Sequence, residues 1–264
     1  MQILIANAKK AEIFSQIFQN LKGMMIDTVT FRFSKDRLFI QGMDGSHVAL
    51  YELFLDKYWF DAYKFEEGDL GTITISQDIL ERVLSMRQKN QIIKIDYSGN
   101  PDKLNIEFKN LKPTEKEFPK EFCLPLMEVE SDLLEIPDVE YEVDFSISAK
   151  TFNLLMAQMI NFDEDIKMEF SEEKIRFTAS GDSLGSMKVD LFSNKVEYVE
   201  EYSIAEGSEL NSSFSIKYFN AFCKFDKLSS KVNLHFSENY PMQLRYDIDD
   251  KSYMRFMLAP KVED

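Results

Sequence analysis

The chain has 264 residues, of which 44% are hydrophobic and 29% charged, and its net charge is −15. This length suits one large domain or two of about 130 residues, and the composition is typical of a soluble globular protein. The acidic balance argues against a protein that covers nucleic acid with its whole surface, and no apolar run reaches the roughly 18–20 residues of a membrane span.

The first half of the chain begins with a predicted helix over residues 9–22, where apolar residues recur at three- and four-residue spacing. Short runs rich in Phe, Ile, Val, Tyr and Thr then predict strands, and polar turns such as 34–37 and 98–102 separate them. A second amphipathic helix is predicted over 76–90.

The middle of the chain, residues 124–143, reads as a linker rather than as a regular element. Pro125 and Pro137 disfavour a continuous helix or a central strand, and acidic residues surround them. Leu134 and Ile136 are too apolar for a segment that extends freely into water. We therefore expect the linker to lie against the protein surface.

The second half repeats the plan of the first. FSKDRLFIQGMD (33–44) and FSEEKIRFTASGD (170–182) both read as strand, polar turn and strand. The segment 76–98 and its counterpart 215–237 both read as helix, break and strand. The two pairs recur at offsets of 137 and 139 residues, which indicates a duplicated domain.

These patterns predict an α+β fold with two similar, duplicated domains. Each domain should hold two helices packed on antiparallel β-sheets and eight or nine strands, because strands follow one another with few helices between them. We place the domains at residues 1–124 and 143–264, with the linker at 125–142.

Positive charge is concentrated on the four predicted helices. The helices at 9–22, 76–90, 148–162 and 215–231 carry +2, +1, +1 and +3, so the rest of the chain carries −22. Lysine-rich helix surfaces also occur in proteins that bind no nucleic acid. Four basic helices in an acidic chain nevertheless favour a helical surface that meets the phosphates of duplex DNA without reading bases.

Motifs for catalysis or metal binding are weak. Cys123 and Cys223 form neither a disulfide framework nor a metal-ligand spacing, and the start of the chain lacks a signal-peptide pattern, so we expect an intracellular, reducing compartment. Gly181–Leu184 spells the signature of GDSL esterases, with Ser183 as the nucleophile, but the block lies mid-chain and no DxxH pair exists. Asp163–Asp165 lacks the EF-hand spacing and predicts a solvated turn. We expect no enzyme activity, cofactor or metal.

Several segments occur in the order found in one known family. They are QGMDGSHVAL (41–50), LLEIP (133–137), FTASGD (177–182), YFNAFCKFDKLSS (218–230) and LAPKVED (258–264). Together they make the whole chain resemble the eukaryotic-type DNA sliding clamp, the proliferating cell nuclear antigen (PCNA) family.

This resemblance implies a DNA polymerase processivity factor: a homotrimeric ring that encircles duplex DNA and tethers replication and repair enzymes. Its implied partners are DNA polymerase, the clamp loader, flap endonuclease and ligase, which carry a Gln-x-x-apolar-x-x-aromatic-aromatic peptide. It also implies a location in the nucleus, or in the replication compartment of a large DNA virus. A subunit of a heterotrimeric or checkpoint-type clamp is the alternative within the family, and a GDSL-type hydrolase is the alternative outside it.

The charge pattern and the resemblance together predict three sets of site residues. The predicted DNA-binding residues are Lys9, Lys10, Lys22, Arg82, Arg87, Lys89, Lys150, Lys217, Lys224 and Lys227. The predicted partner-peptide residues are Met43, His47, Val48, Leu50, Leu134, Ile136, Pro241, Leu258, Ala259 and Pro260. The predicted subunit interface pairs residues 115–124 of one subunit with 185–193 of the next, through Phe118, Phe122, Met187, Val189 and Leu191.

The chain departs from the family pattern at several positions. Asn153, Leu154 and Ala157 are uncharged where the family tends to place arginines, which weakens the DNA-facing prediction for that helix. Glu172 stands at the position of the family's modifiable lysine, so we do not expect conjugation there. Gly45 replaces a serine in the loop of the predicted peptide pocket.

Overall fold

The computed structural model describes residues 1–66, 71–97, 102–112, 117–129, 132–137, 139–193, 199–238 and 240–261. Most of the predicted turn at 98–102, residues 115 and 116 of the predicted interface, and the last three residues lie outside these ranges. The chain forms two compact units. The first comprises Met1–Gly45, Glu52–Leu134 and Asp249–Tyr253, and the second comprises Ser46–Tyr51, Glu135–Ile248 and Met254–Asp264. No helix in the described ranges is long and apolar enough to cross a bilayer.

The first half of the chain supplies nine strands and two helices in its described residues. They are β1 (Gln2–Ile5), α1 (Ala8–Leu21), β2 (Thr28–Phe33), β3 (Arg37–Met43), β4 (Ala49–Asp56), β5 (Ala62–Lys64), β6 (Thr72–Ser76), α2 (Gln77–Ser85), β7 (Gln91–Asp96), β8 (Lys103–Asn110) and β9 (Lys120–Pro125). An antiparallel sheet runs in the order β5-β1-β7-β8-β9, and β2 pairs with β3 and β6. α1 packs against α2 and buries Phe14, Ile17 and Phe18.

The second half supplies nine further strands and two helices in the part of the chain that is described. They are β10 (Val143–Ser148), α3 (Ala149–Met159), β11 (Asp165–Phe170), β12 (Lys174–Gly181), β13 (Gly185–Phe192), β14 (Val199–Ile204), β15 (Leu210–Ser215), α4 (Ile216–Cys223), β16 (Lys231–Ser237), β17 (Tyr240–Asp247) and β18 (Tyr253–Leu258). β10 lies between β14 and β16, and β17 follows β16, while a second sheet runs β13-β12-β11-β15. α3 packs against α4. The predicted α+β fold is confirmed.

Two equivalent hydrogen bonds mark the duplication at atomic detail. In the first unit the Tyr63 hydroxyl donates to the Ser34 carbonyl at 2.8 Å, and in the second the Tyr202 hydroxyl donates to the Ser171 carbonyl at 2.7 Å. Ser34 and Ser171 are the residues that begin the repeated polar turns. Each tyrosine therefore holds the corresponding hairpin turn of its own unit.

Two helices are shorter than their predicted ranges. α2 ends at Ser85 rather than at residue 90, because Arg87 turns inward and its guanidinium donates to the Gln91 carbonyl at 2.9 Å. α4 ends at Cys223 rather than at residue 231, because i to i+3 hydrogen bonds such as Asp226 N to Cys223 O (3.1 Å) tighten the chain into successive turns.

These shorter bounds change the charge distribution. Within the observed helices the net charges are +1, −1, +1 and +1, so the prediction of +7 on the helices is wrong. Directly after α1 and directly after α4, a lysine complements the negative end of the helix dipole. The cations of the predicted helix ranges that fall outside the observed helices all lie beyond the helix ends. These cations are Lys22, Arg87, Lys89, Lys224, Lys227 and Lys231.

Candidate functional site

The basic surface of the first unit surrounds α1 and α2. Lys9 and Arg82 are exposed on these helices. Lys22 follows α1 and lies 3.7 Å from Asp78 and 3.5 Å from Glu81, and its side chain is 59% exposed. Exposed ion pairs of this length are weak, so they do not prevent Lys22 from meeting a phosphate.

Two of the predicted DNA-binding cations have contacts inside the unit. The Lys10 ammonium donates to the Trp59 carbonyl at 2.5 Å and lies 5.7 Å from the centre of the Trp59 ring. The Arg87 guanidinium donates to Ser15 Oγ at 3.2 Å and to Gln91 O at 2.9 Å, and burial lowers its pKa. Lys10 and Arg87 therefore stabilise the unit, whereas Lys89 is exposed beside them.

In the second unit the four predicted DNA-binding cations are exposed and lie at the start of α3, on α4 and in the turn after α4. They are Lys150, Lys217, Lys224 and Lys227. Beside them the Asp226 carboxylate accepts a hydrogen bond from Asn153 Nδ2 at 2.9 Å, which joins α3 to the turn. The rest of the exposed α3 face is uncharged and includes Leu154, which is 61% exposed. Of these four predicted cations, three thus lie on α4 or in the turn that follows it, and one lies on α3.

The linker is attached to the first unit at Leu134. Leu134 N donates to Gln41 Oε1 at 2.8 Å, and Gln41 Nε2 donates to Leu134 O at 2.9 Å. The Leu134 side chain remains 47% exposed. The sequence resemblance included Gln41 only as the first residue of a block. A polar residue inside the apolar run LFIQGM was the signal for its role.

Ile136 lies on the wall of a groove in the second unit. The groove has a volume of about 890 Å³, and its lining includes Pro137, Tyr141, His235 and Arg255. Burial raises the pKa of the Tyr141 phenol. Ile136 itself is half-buried, so part of its side chain is accessible from the groove.

The C-terminal segment is attached to the second unit on both sides of Pro260. Ala259 N donates to Val48 O at 3.0 Å, and Lys261 N donates to Ser213 O at 2.8 Å. The Lys261 ammonium also pairs with Asp165, and this hydrogen bond raises the pKa of Lys261. Sequence reasoning did not identify these attachments.

The remaining predicted peptide-site residues differ in exposure. Leu258 and Leu50 are predicted partner-peptide residues, but both are buried in the core and do not offer their side chains at the surface. Ala259 and Pro260 are half-buried. Met43 and Pro241 are also half-buried, whereas His47 and Val48 are exposed, and His47 has a left-handed backbone with φ 58°.

The predicted interface segments form strands at sheet edges. β9 ends the sheet of the first unit and β13 ends the four-stranded sheet of the second. Phe118, just before β9, is 70% exposed, and Phe122 packs edge-on against Phe108 with ring centres 5.3 Å apart. On β13 the side chains of Met187 and Val189 are half-buried and that of Leu191 is buried.

The esterase-like block adopts a hairpin turn. Leu184 N donates to Gly181 O at 3.3 Å, and this turn joins β12 to β13 with Ser183 exposed. His235 lies elsewhere, with its Nδ1 2.5 Å from Asp144 Oδ1. Asp163 Oδ1 accepts from Glu164 N at 2.7 Å, and Asp165 is already the first residue of β11. The described residues hold no cluster of three or more metal-ligating side chains.

Comparison with known proteins assigns the chain. The sequence model of the proliferating cell nuclear antigen N-terminal domain matches residues 3–133, and that of the C-terminal domain matches 135–261. Proliferating cell nuclear antigen from Chaetomium thermophilum is 27% identical and that from Caenorhabditis elegans 28%; the alignments cover 99% of both chains in the first comparison, and 98% of this chain and 97% of the relative in the second. Proliferating cell nuclear antigen 2 of Drosophila melanogaster is 28% identical, with 99% of both chains covered.

Two clamp domains in succession, each α+β with antiparallel sheets, define a DNA sliding clamp. The chain belongs to the proliferating cell nuclear antigen family. It acts as a polymerase processivity factor that encircles DNA and binds polymerases and repair factors, and it is not an enzyme. Its homologues are nuclear replication proteins.

Proposed function

We propose that this clamp works as a homotrimer in which β9 of one subunit pairs with β13 of the next. Both strands lie at the edge of their sheets, so each has one row of main-chain donors and acceptors directed away from its own sheet. Phe118 and Phe122 on one segment, and Met187 and Val189 on the other, supply apolar side chains for the contact. A head-to-tail contact between two different surfaces closes into a ring when the rotation fits.

The proposed DNA-facing residues are the exposed cations that lie on the helices of both units or just after them. They are Lys9, Lys22, Arg82, Lys89, Lys150, Lys217, Lys224 and Lys227. Lysine and arginine side chains bind phosphates without reading the sequence, so they can exchange contacts as the duplex moves. Lys10 and Arg87 support this surface through their contacts inside the first unit.

The proposed partner site takes the peptide Gln-x-x-apolar-x-x-aromatic-aromatic of DNA polymerase, clamp loader, flap endonuclease and ligase. The linker offers Leu134 and Ile136, and the C-terminal segment offers Ala259 and Pro260. The same proposed site includes Met43, His47, Val48 and Pro241. Leu50 and Leu258 are buried, and we assign them a supporting role in the core. Exposed apolar side chains on a fixed backbone suit the anchors of an amphipathic peptide.

The proposal of a homotrimer rests on one observation: β9 and β13 both lie at the edge of their sheets. Light scattering at micromolar concentration should give three times 30.9 kDa. A monomer at every concentration would contradict the homotrimer, and a trimer formed only after addition of related clamp subunits would favour the heterotrimeric alternative. We propose that the clamp acts in the nucleus or in the replication compartment of a large DNA virus. Fluorescence imaging of the tagged protein in the cells where it is naturally made would distinguish these two locations.

A further inference from the structure

The attachment of the linker depends on one buried side chain. Gln41 lies on β3 and is 7% exposed. Its amide binds both backbone groups of Leu134, with Leu134 N donating to Oε1 at 2.8 Å and Nε2 donating to Leu134 O at 2.9 Å. One side chain thus replaces the two hydrogen bonds that a neighbouring strand would make with this residue.

A second buried side chain orients the amide. Glu52 on β4 is 3% exposed, and its Oε1 accepts a hydrogen bond from Gln41 Nε2 at 2.9 Å. A primary amide has two N–H donors, and here one is directed to Glu52 and the other to Leu134 O. Because Glu52 Oε1 accepts from the Gln41 nitrogen, Glu52 selects the orientation in which this nitrogen faces it and the Gln41 oxygen faces Leu134 N.

The consequence is a linker residue with a fixed backbone and an accessible side chain. The two backbone groups of Leu134 are bound, while its side chain is 47% exposed. A peptide that uses Leu134 as an anchor then meets a residue already held in place, which reduces the ordering cost of binding.

We propose that Gln41, oriented by Glu52, is a positioning residue of the partner-peptide site and acts by holding Leu134. This inference rests on the proposed role of Leu134 in that site. It adds two residues, Gln41 and Glu52, that contact the linker or each other rather than the peptide.

The first experiment measures the linker without any partner. In Gln41→Ala the Leu134 amide loses its acceptor, so its hydrogen exchange should become roughly tenfold faster or more. Gln41→Asn keeps the amide but is one methylene shorter, and it should behave like Gln41→Ala. Unchanged exchange at Leu134 in both variants would overturn the proposal, and two variants guard against one that fails to fold.

The second experiment measures affinity for a synthetic peptide of the pattern Gln-x-x-Ile-x-x-Phe-Phe by calorimetry. Gln41→Glu keeps the size and the acceptor for Leu134 N, but it removes the donors and sets a carboxylate beside Glu52. The affinity of this variant for the peptide should be several-fold lower than that of the parent chain. Adding Glu52→Gln should recover part of the loss, because the amide introduced at position 52 can then donate to the carboxylate introduced at position 41. A general loss of packing would not be rescued in this way, so no recovery would overturn the orienting role of Glu52.

Leu134→Ala separates this proposal from the one on which it rests. If Leu134→Ala leaves peptide affinity unchanged, the proposed partner site is wrong, whatever the exchange data show. If Leu134→Ala weakens the peptide but Gln41→Ala and Gln41→Asn do not, the partner site stands and the positioning role of Gln41 is overturned.

Discussion

Arg87 shows why a cation near a helix is not always available to DNA. Its guanidinium donates to Ser15, Gln88 and Gln91, and it is half-buried against its own unit. Arg87→Ala should leave the carbonyls of residues 88 and 91 without this donor and lower the free energy of unfolding by about 2–3 kcal/mol.

The exposed Arg82 on the preceding helix is the matched control, and Arg82→Ala should change stability by less than about 0.5 kcal/mol. Urea denaturation of the two variants provides the comparison. Equal stabilities would mean that Arg87 does not have the supporting role described here.

The equivalent tyrosines give a pH-dependent prediction. Burial raises the pKa of Tyr63 and of Tyr202 to about 12, above the ordinary value near 10. Because the folded-state pKa is the higher one, their contribution to stability is complete below about pH 10 and is lost as the pH rises toward 12.

The variant Tyr63→Phe with Tyr202→Phe should therefore lose less stability between pH 10 and 12 than the parent chain. It should also be about 2 kcal/mol less stable at pH 8, since two hydrogen bonds to hairpin turns are missing. Chemical denaturation across this pH range tests both statements. A parallel decline of the two proteins above pH 10 would contradict the assignment to these tyrosines.

The linker as an element should carry much of the affinity for partner peptides. Leu134→Ala with Ile136→Ala removes two apolar anchors, and truncation of such anchors typically costs on the order of 2 kcal/mol, or about 30-fold in Kd. Leu133→Ala is the control, because Leu133 is exposed on the same linker outside the proposed site. An equal loss of peptide affinity in the double variant and in the control would show that Leu134 and Ile136 are not specific anchors.

The edge strand β13 gives a test of assembly. Met187→Asp with Val189→Asp places two carboxylates on the proposed contact and should convert the trimer to monomers without changing the far-ultraviolet circular dichroism. Leu184→Asp on the adjacent exposed turn is the control and should remain a trimer. If light scattering shows that the double variant is still a trimer, β13 is not the subunit contact.

Much of the fold could be predicted from the sequence, because apolar periodicity located all four α-helices of the described ranges and the repeat offset revealed two domains. The helix ends could not be predicted, since they depend on Arg87 and on the tight turns after Cys223 rather than on periodicity. The link between Gln41 and Leu134 joins residues 93 positions apart. The polar Gln41 inside an apolar run indicates that its side chain has a specific contact, but no local pattern identifies Leu134 as the partner.

The whole chain combines a net charge of −15 with exposed cations on and just after its helices. Few ion pairs can form with any one stretch of duplex, so affinity for short linear DNA should be poor and should disappear with modest salt. Lys217→Glu with Lys224→Glu should impair loading and sliding and leave the trimer intact, because these lysines lie outside the proposed subunit contact. Loading assays and light scattering on the same preparation check both parts.

The central claim is that a threaded ring, and not tight binding, keeps this clamp on DNA. The direct measurement loads the protein on a closed circle with a competent clamp loader and ATP, washes it at high salt, and then cuts the circle. The protein should remain on the closed circle during the wash, because retention of a threaded ring does not depend on ion pairs with the DNA. It should slide off once the DNA is linear. Salt-sensitive binding that is equal on circular and linear DNA would contradict the claim, as would a complete loss from the closed circle during the wash.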